Sequence, residues 1–195
     1  MKNISHFLES KSEIKKIIIP AKTTICELGD TCESLVVLTK GIVKIFRNAE
    51  DGRNFTLYHI SPGEGCVLTA ACLLNESTFP AFAITEAPSE GYKISKKLLK
   101  HWLKTEAEWQ AFIFNLLTLR MGDLIEKVDL LAFETLETRL KKWLVDHSQA
   151  PNIKITHQQV ADELASSREV VSRLLKKLEK NEKVKLLRGE IILIR

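Results

Sequence analysis

A change in hydrophobic period near residue 96 limits the folds open to this chain more than any other feature. From Ile17 to Tyr92, short apolar runs separated by turn residues are typical of β-strands, and the run NFTLYHI alternates apolar and polar residues as a half-buried strand does. From about residue 98 to residue 133, apolar residues recur at helical spacing instead. Strands followed by helices predict an α+β chain.

Turn residues divide the strand-rich part at short intervals. Lys40-Gly41 separates two β-rich runs, and Asp51-Gly52 is a strong hairpin signal. Pro62-Gly63-Glu64-Gly65 marks a further turn. Many short strands at a spacing of roughly 8–12 residues predict a sandwich or a barrel.

The helical part contains a heptad seam, in which apolar residues follow each other at alternating steps of three and four. The seam residues are Phe114, Leu117, Met121, Leu124, Val128 and Leu131. A second apolar stripe, formed by Phe112, Leu116 and Leu119, runs beside the seam. One stripe would face the barrel and the other a partner helix, so we expect a homodimer. The alternative is a helix that lies on its own barrel.

The last sixty residues follow the order helix, short turn, helix and hairpin. Thr156 and Gln159 form the Thr-x-x-Gln pattern of a capping box before the short helix VADELA. Ser167 is placed to cap a second helix, REVVSRLLKKLEKN. Two short strands around Arg188-Gly189 close the chain. This order predicts a winged helix-turn-helix.

The second of these helices has an apolar face and a charged face. The residues expected to pack it on the first helix are Val170, Val171, Leu174 and Leu175. The outward residues are Arg168, Glu169, Ser172, Arg173, Lys176 and Lys177. A helix fits the major groove of B-DNA, where Arg pairs with the O6/N7 edge of guanine and Glu accepts from cytosine N4. The alternative is an ordinary surface helix with a Glu169–Arg173 pair one turn apart.

Charge is divided unevenly along the 195 residues, a length that allows one large domain or two small ones. Residues 1–133 hold sixteen basic and sixteen acidic side chains, whereas residues 134–195 hold thirteen and nine, so the net charge of +4 belongs to the last third. Such asymmetry indicates a neutral module joined to a basic one that meets a polyanion, here double-stranded DNA. A basic solvated tail is the alternative. Without an apolar span or signal-peptide core, we expect a cytoplasmic protein with no membrane partner.

These motifs resemble those of a known family. THQQVADELASSREVVSRLLKKLEK and the following RGEIILI are similar to the DNA-binding half of the CRP/FNR superfamily of bacterial transcription regulators. LVVLTKGIVKIF and DGRNFTLYHISPGEG are similar to its effector-binding β-roll. The resemblance implies a double-stranded β-helix of the jelly-roll or cupin-like kind, a long dimerisation helix and a winged helix-turn-helix. We expect these three parts at residues 1–105, 106–132 and 133–195.

The resemblance also implies a DNA-reading site. Arg168, Glu169 and Arg173 would read bases, Ser172 would add a contact, and Arg188 would lie in the wing near phosphates. The full expected set is Thr156, His157, Ser167, Arg168, Glu169, Ser172, Arg173, Lys176 and Arg188. Since Arg168 and Ser172 combine two subfamily patterns, a TGTGA-like and a TTGAT-like half-site both stay open. Ala165 departs from the family, which often has glycine there. RNA polymerase is a further expected partner.

The effector stays open, but the sequence argues against cyclic AMP. Family members that bind a cyclic nucleotide hold its ribose with a Glu and its phosphate with an Arg-Ser pair. Here Leu68 stands near the first position, and Phe79-Pro80-Ala81 occupies the phosphate region without a cation. Leu124-Ile125 replaces a Thr-Ser pair that contacts the base. Because a phosphate buried without a cation or a backbone cradle is costly, we expect no cyclic AMP binding.

Four cysteines, Cys26, Cys32, Cys66 and Cys72, leave three possibilities for the signal. They lack the C-x2-C spacing of zinc sites, and in a cytosolic chain we expect them to be reduced. Four thiolates suffice chemically for an iron–sulfur cluster. A thiol redox switch by Cys66 and Cys72 needs only two. Small buried apolar residues are the third possibility.

Two other classes of function compete with a regulator. A metal-dependent cupin enzyme needs clustered His and carboxylate ligands, whereas this chain has 5 His, none of them in a His-x-His pattern. A P-loop, a Gly-x-Ser-x-Gly elbow and a Cys-x-x-Cys motif are also missing, so we expect no enzymatic activity. The remaining alternative is a dimeric ligand-sensing interaction module that reads no specific DNA.

Overall fold

The computed structural model describes residues 4–49, 54–148 and 152–194. The first elements in chain order are α1 (Ile4–Glu9), β1 (Lys15–Ile19), β2 (Thr24–Cys26), β3 (Ser34–Lys40), β4 (Val43–Asn48), β5 (Asn54–Ile60), α2 (Val67–Asn75), β6 (Phe82–Thr85), β7 (Ser89–Ser95) and α3 (Lys96–Thr105). The remaining elements are α4 (Ala107–Phe133), α5 (Leu136–Asp146), β8 (Asn152–Ile153), α6 (His157–Glu163), α7 (Arg168–Lys180), β9 (Val184–Leu187) and β10 (Glu190–Leu193). The Asp51-Gly52 turn lies outside the described residues.

The chain divides into two compact units, residues 1–46 with 57–125 and residues 47–56 with 126–195. The first unit holds a roll of short strands and the start of the long helix α4, and the second holds the helix-turn-helix and its hairpin. Each unit has its own cluster of buried apolar residues. The predicted α+β class, with a β-roll, a long helix and a winged helix-turn-helix, is confirmed.

The strands of the roll form two antiparallel sheets, in the orders β1-β7-β3 and β2-β6-β4-β5. The tight turn between β3 and β4 depends on Gly41, whose φ is 85°. A Cβ atom at this position would lie 2.6 Å from the Cα of Ser89. Since a side chain is excluded both by this contact and by the left-handed backbone, glycine is required here.

Helices close the core of the first unit, and of these the sequence patterns did not reveal α1. The α1 helix buries Ile4, Phe7 and Leu8, and the ring of Phe7 meets the edge of Trp102 at a centroid distance of 5.3 Å. Trp102 in turn packs edge-to-face on Trp109, at 5.2 Å. Such aromatic pairs contribute about 0.5–1.5 kcal/mol beyond their buried area. This cluster therefore joins α1, α3 and the first turn of α4.

The first half of the long helix α4 covers the core with apolar side chains. Further along the same face the side chain is charged. Trp109, Phe112, Ile113 and Leu116 are buried. The sequence placed Leu119 in the same buried stripe, but its side chain is 40% exposed, so this placement was wrong. Residue 120 follows Leu116 by one turn, and Arg120 occupies the next position of the buried face instead.

The second unit encloses its core between three helices and a small sheet. Leu140 of α5, Val160 of α6, Leu175 of α7 and Ile191 of β10 are all fully buried. The predicted hairpin around Arg188-Gly189 is confirmed as β9 and β10. A third strand, β8, pairs with β10 on its other side and was not predicted. Trp143 of α5 stacks on the His147 ring at a centroid distance of 4.0 Å.

Candidate nucleic-acid interface

The turn between α6 and α7 is built by local hydrogen bonds. The predicted capping box of Thr156 and Gln159 is confirmed at the start of α6, and Ser167 caps α7 by accepting from Val170 N at 3.4 Å. At the end of α6, Ser166 N donates to Ala161 O at 2.9 Å. This is the bond of a Schellman motif, which places the residue before Ser166 in the left-handed region.

Ala165 occupies that left-handed position, with a φ of 51°. Left-handed backbone costs a residue with a Cβ about 1–2 kcal/mol, whereas glycine adopts it freely. We therefore expect Ala165→Gly to raise the free energy of unfolding. The gain is at most about 1 kcal/mol, because the greater freedom of glycine in the unfolded chain offsets part of the relieved strain. Urea denaturation measures the difference. Ala165→Val is the control and should lower stability, because a β-branched residue fits this region worst; a less stable glycine variant would contradict the reading.

Helix α7 buries one face and exposes the other. Val171, Leu175 and Leu178 are buried against the second core. Val170 and Leu174 are partly exposed. The side chains of Arg168, Glu169, Arg173 and Lys176 are exposed, while that of Ser172 is half-buried. The predicted amphipathic helix is confirmed, and its exposed face carries most of the residues expected to read DNA.

His157 and Ser172 tie the start of α6 to the exposed face of α7. His157 Nδ1 lies 2.9 Å from Ser172 Oγ, within hydrogen-bonding distance. Burial lowers the pKa of His157 below its ordinary value, and the positive charges of Arg168 and Lys176 lower it further. The environment of His157 therefore includes Ser172 and the positive charges of Arg168 and Lys176. These charges disfavour protonation of His157, and a bound anion would offset them.

The lowered pKa of His157 predicts a pH-dependent contribution to stability. Because the folded state favours the neutral imidazole, this contribution is present above the unfolded pKa of about 6.5 and is lost as pH falls through the folded pKa. We expect His157→Asn, which can still reach Ser172, to lose less stability than the wild type between pH 7.5 and pH 5. Urea midpoints at the two pH values measure this, and equal losses in both proteins would contradict it.

Lys177 belongs to a different cluster from the other basic residues of α7. Its Nζ lies 2.7 Å from Glu137 Oε2 of α5, and Lys141 binds the other oxygen of this carboxylate at 2.9 Å. Hydrogen bonds from the two lysines lower the pKa of Glu137 to about 2. Lys177 is exposed on the outward side of α7, as predicted, but its ammonium group is directed to α5.

The remaining basic residues of the face have no such partner. In residues 152–194 and the other described segments, no hydrogen bond or ion pair joins Arg168, Arg173 or Lys176 to another side chain. The Glu169–Arg173 pair of the surface-helix alternative is likewise not formed among these residues. A hydrogen bond from its own backbone N–H, followed by one from Ser167, lowers the pKa of Glu169, which keeps it ionised. The face thus presents three cations and one anion to an incoming ligand.

The β9–β10 hairpin stands beside α7. Leu186 N donates to Glu179 Oε1 at 2.7 Å, which ties the hairpin to the helix. Arg188 is exposed at the tip of the hairpin, next to Gly189 with its φ of 74°. Thr156 and Ser167 are the N-terminal caps of α6 and α7. Thr156 is exposed and Ser167 is half-buried. Their contacts with DNA stay predictions.

The seam on α4 is an exposed apolar strip within this single chain. Phe114 is 70% and Met121 62% exposed. The other seam residues, Leu117, Leu124, Val128 and Leu131, are exposed as well. Single exposed apolar residues are common on protein surfaces, but six along one side of a helix form a continuous apolar patch. Continuous apolar patches of this kind mark interaction sites.

The residues that the resemblance places at a phosphate-binding position are apolar. Phe79 and Ala81 are fully buried, and Leu68 is partly buried against the core. Leu124 and Ile125 are exposed on α4. These apolar groups provide neither a cation nor an anchor for a ribose hydroxyl.

Arg120 of α4 makes several polar contacts within the first unit, and the sequence did not predict them. Its guanidinium lies 2.5 Å from Glu64 Oε2 and 2.8 Å from Asp123 Oδ2, and it donates to His59 O at 3.1 Å. It also lies over the Tyr58 ring, 4.4 Å from the centroid. The side chains of Arg120 and Glu64 are only 12% and 15% exposed, so this ion pair is largely shielded from solvent.

The four cysteines all lie in the first unit. Cys66 caps α2 and its Sγ lies 3.4 Å from Tyr58 Oη, whereas the Cys72 thiol donates to Ser77 O at 2.6 Å. Burial raises the pKa of Cys26 to about 11, and it raises that of Cys32 as well. Among the described residues, which include all four thiols, no group of three or more His, Cys, Asp or Glu is arranged to hold a metal ion.

Comparison with known proteins shows similarity in both sequence and fold. Residues 16–106 match the family described as "Cyclic nucleotide-binding domain", and residues 138–195 match "Crp-like helix-turn-helix domain". The cAMP-activated global transcriptional regulator CRP of Pasteurella multocida is 28% identical over 170 residues, which cover 82% of this chain and 80% of that protein. The cAMP-activated global transcriptional regulator Vfr of Pseudomonas aeruginosa is 29% identical over 170 residues, 82% of this chain and 79% of its own. The solved structure of CLP, the c-di-GMP responsive global regulator of Xanthomonas campestris, has a TM-score of 0.85 at 24% identity and covers 99% of this chain and 98% of its own.

A β-roll followed by a long helix and a winged helix-turn-helix defines a DNA-binding regulator. The chain belongs to the CRP/FNR family of transcription regulators. Members of this family act by binding DNA and are not enzymes, so the prediction of a non-enzymatic regulator is confirmed. No helix in the described part of the chain is long and apolar enough to cross a membrane.

Proposed function

We propose that this regulator is a homodimer that reads a palindromic operator through α7, with its DNA affinity controlled by a signal sensed in the β-roll. The observation that carries this proposal is the charged face of α7. Arg168, Arg173 and Lys176 are exposed without an ion pair in the described residues, while Lys177 on the same helix is held by Glu137. A module that only dimerises has no use for such a face.

Each residue of this face has a role in the proposed complex. Arg168 and Arg173 pair with guanine O6/N7 edges and Glu169 accepts from cytosine N4, because these are the groups that the major groove presents. Lys176, Arg188 and the polar residues Thr156, His157, Ser167 and Ser172 contact phosphates or base edges around them. In a two-fold dimer the two half-sites lie one helical turn apart, about 34–36 Å from centre to centre.

The exposed seam supports dimerisation through α4. A second copy of the same helix would cover the seam in a coiled-coil arrangement, with the two-fold symmetry that palindromic DNA requires. We expect Leu124→Lys to weaken the dimer at least tenfold, since it places a charge within the apolar contact. Sedimentation velocity across protein concentrations measures this. Ile18→Lys changes another exposed apolar residue, 77% exposed on β1, and should leave the dimer intact; equal effects would remove the seam as the interface.

The proposed signal is not cyclic AMP. The relatives named above are cAMP-activated by description, but this chain has buried Phe79 and Ala81 where the phosphate would bind. The signal shifts a population between binding-competent and incompetent dimers, by repositioning the two recognition helices about the dimer axis. Isothermal titration with cyclic AMP tests the first part, and micromolar binding would contradict it.

Selection from a randomised duplex library tests the function as a whole, with reduced and mildly oxidised protein run in parallel at one salt concentration. Enrichment of a palindrome supports operator reading, and enrichment in one condition only supports thiol control. A monomeric or non-palindromic site would contradict the two-fold reading. No enrichment in either condition, with dimer and fold intact, favours the interaction module.

RNA polymerase is the further partner that we propose, because a bound regulator acts on transcription through it. Transcription in vitro from a promoter carrying the selected operator tests this, with and without the regulator. A change that persists when the operator is moved by half a helical turn would point to simple exclusion of polymerase rather than contact.

A further inference from the structure

We propose that Cys32 and Cys72 form a redox-responsive dithiol in the β-roll, which a low-molecular-weight disulfide converts into an intrachain disulfide. The inference rests on the proposed function, since it names the signal by which the β-roll controls DNA binding. Both cysteines lie in the first unit, away from the helix-turn-helix in sequence.

Backbone pairing brings the two cysteines to the same place. Thr31, directly before Cys32, forms an antiparallel bridge with Thr78. Cys72 is attached to the residue before Thr78, because its thiol donates to Ser77 O at 2.6 Å and Ser77 N donates back to Cys72 O at 3.2 Å. Cys32 is therefore next to the Thr31–Thr78 bridge in sequence, and Cys72 is hydrogen-bonded to the residue next to that bridge.

The two thiols also interact with each other. Burial raises the pKa of Cys32, and contact with the Cys72 thiol is the next cause of its rise. Cys66 is a poorer partner for Cys72, since six residues of α2 set the two about 9 Å apart along the helix axis. A disulfide spans Cα atoms roughly 4.4–6.8 Å apart. The pairing of Cys66 with Cys72 considered from the sequence is thus excluded as a direct bond.

Thiol–disulfide exchange proceeds here without a metal or a bound oxidant. The sulfur of Cys32, which is partly exposed, attacks one sulfur of the small disulfide, whose S–S bond breaks and releases one small thiol. The buried Cys72 sulfur then attacks the mixed disulfide at Cys32 and releases the second small thiol. Two protein thiols are oxidised, one small disulfide is reduced, and the two thiol protons pass to the released thiols. The raised pKa of Cys32 slows the first attack, so the site follows a sustained redox poise rather than a brief oxidant pulse.

Closing this bond changes the end of α2. The oxidised Cys72 no longer donates to Ser77 O, which loses its thiol partner. Helices α2 and α4 line one cavity of about 210 Å³, and Leu117 of the seam is among its lining residues. A displacement of α2 therefore reaches the surface that we propose for dimerisation, which gives the redox state a route to DNA affinity.

The chemistry is tested on the full chain without DNA. The protein is equilibrated in glutathione buffers from reducing to oxidising, alkylated, and mapped by peptide mass. We expect a Cys32–Cys72 cross-link in the wild type and in the controls Cys26→Ser and Cys66→Ser, and none in Cys32→Ser or Cys72→Ser. Four free thiols at the most oxidising poise, glutathione adducts alone or a different pairing would overturn the proposal.

Operator affinity then tests the regulatory role. We expect the Kd of reduced and cross-linked wild type to differ at least tenfold on the selected operator, and the Kd of Cys32→Ser to be the same in both buffers. Equal Kd values for the two wild-type states would overturn redox control while operator reading stands. A cross-link that forms normally in a protein that binds no operator in either state would defeat the proposed function instead.

Discussion

Arg120→Met is expected to lower the free energy of unfolding by up to about 3–5 kcal/mol, because it leaves a largely buried carboxylate without its cation. The guanidinium of Arg120 satisfies Glu64, Asp123 and the carbonyl of His59 together, and it also lies over the Tyr58 ring. Methionine keeps much of the packing of the side chain and removes all of the charge. Urea denaturation at one protein concentration measures the loss.

Lys100→Met is the matched control for this prediction. Lys100 also pairs with a carboxylate, that of Glu76 at 3.2 Å, but both side chains are well exposed. Exposed pairs contribute about 0–1 kcal/mol, so the control should be close to the wild type. If both variants lose the same amount, burial of the Arg120–Glu64 pair is not the reason for its contribution.

Arg173→Ala is expected to weaken operator binding by about 1–3 kcal/mol and to relax specificity at one base position of each half-site. Arg173 is exposed on α7 with no ion pair in the described residues, so its guanidinium is available for a bidentate pair with guanine. Binding to operators with each base at each position, at fixed salt, measures both the loss and the position.

Lys177→Ala is the control that distinguishes the loss of a base contact from the loss of one positive charge on α7. It removes one positive charge from α7 as Arg173→Ala does, but from a side chain that is bound to Glu137. We expect a small loss that is equal for all sequences, with no change of base preference. A uniform loss in Arg173→Ala as well would mean that Arg173 contacts phosphate and reads no base.

Sequence patterns predicted the parts of this molecule that depend on near neighbours. The Thr156–Gln159 capping box, the Ser167 cap and the hairpin at Gly189 each involve residues a few positions apart, and each formed as expected. The usual preference for glycine at position 165 also has a local cause, because the Schellman bond of Ser166 requires a left-handed residue before it. Ala165 meets this requirement despite its Cβ atom.

Contacts between distant residues were beyond these patterns. Arg120 and Glu64 are 56 residues apart, and nothing in either segment marks them as partners. The same holds for β8 and β10, and for the segment of Cys32 with that of Cys72. Lys177 shows another limit: helical periodicity placed it correctly on the outward face, but it did not reveal the carboxylate on α5 that its ammonium group binds. Periodicity states which side of a helix a residue occupies but not which neighbour its long side chain reaches.

The aromatic side chains also divide the fluorescence of the protein between its two units. Trp102 and Trp109 belong to the cluster with Phe7 in the first unit, whereas Trp143 stacks on His147 in the second. A Trp143→Phe variant would therefore emit from the β-roll alone, and its emission would follow that unit through denaturation or through a change of redox buffer. The wild-type emission minus that of the variant would follow the DNA-binding unit, so one cuvette experiment can time the two units separately.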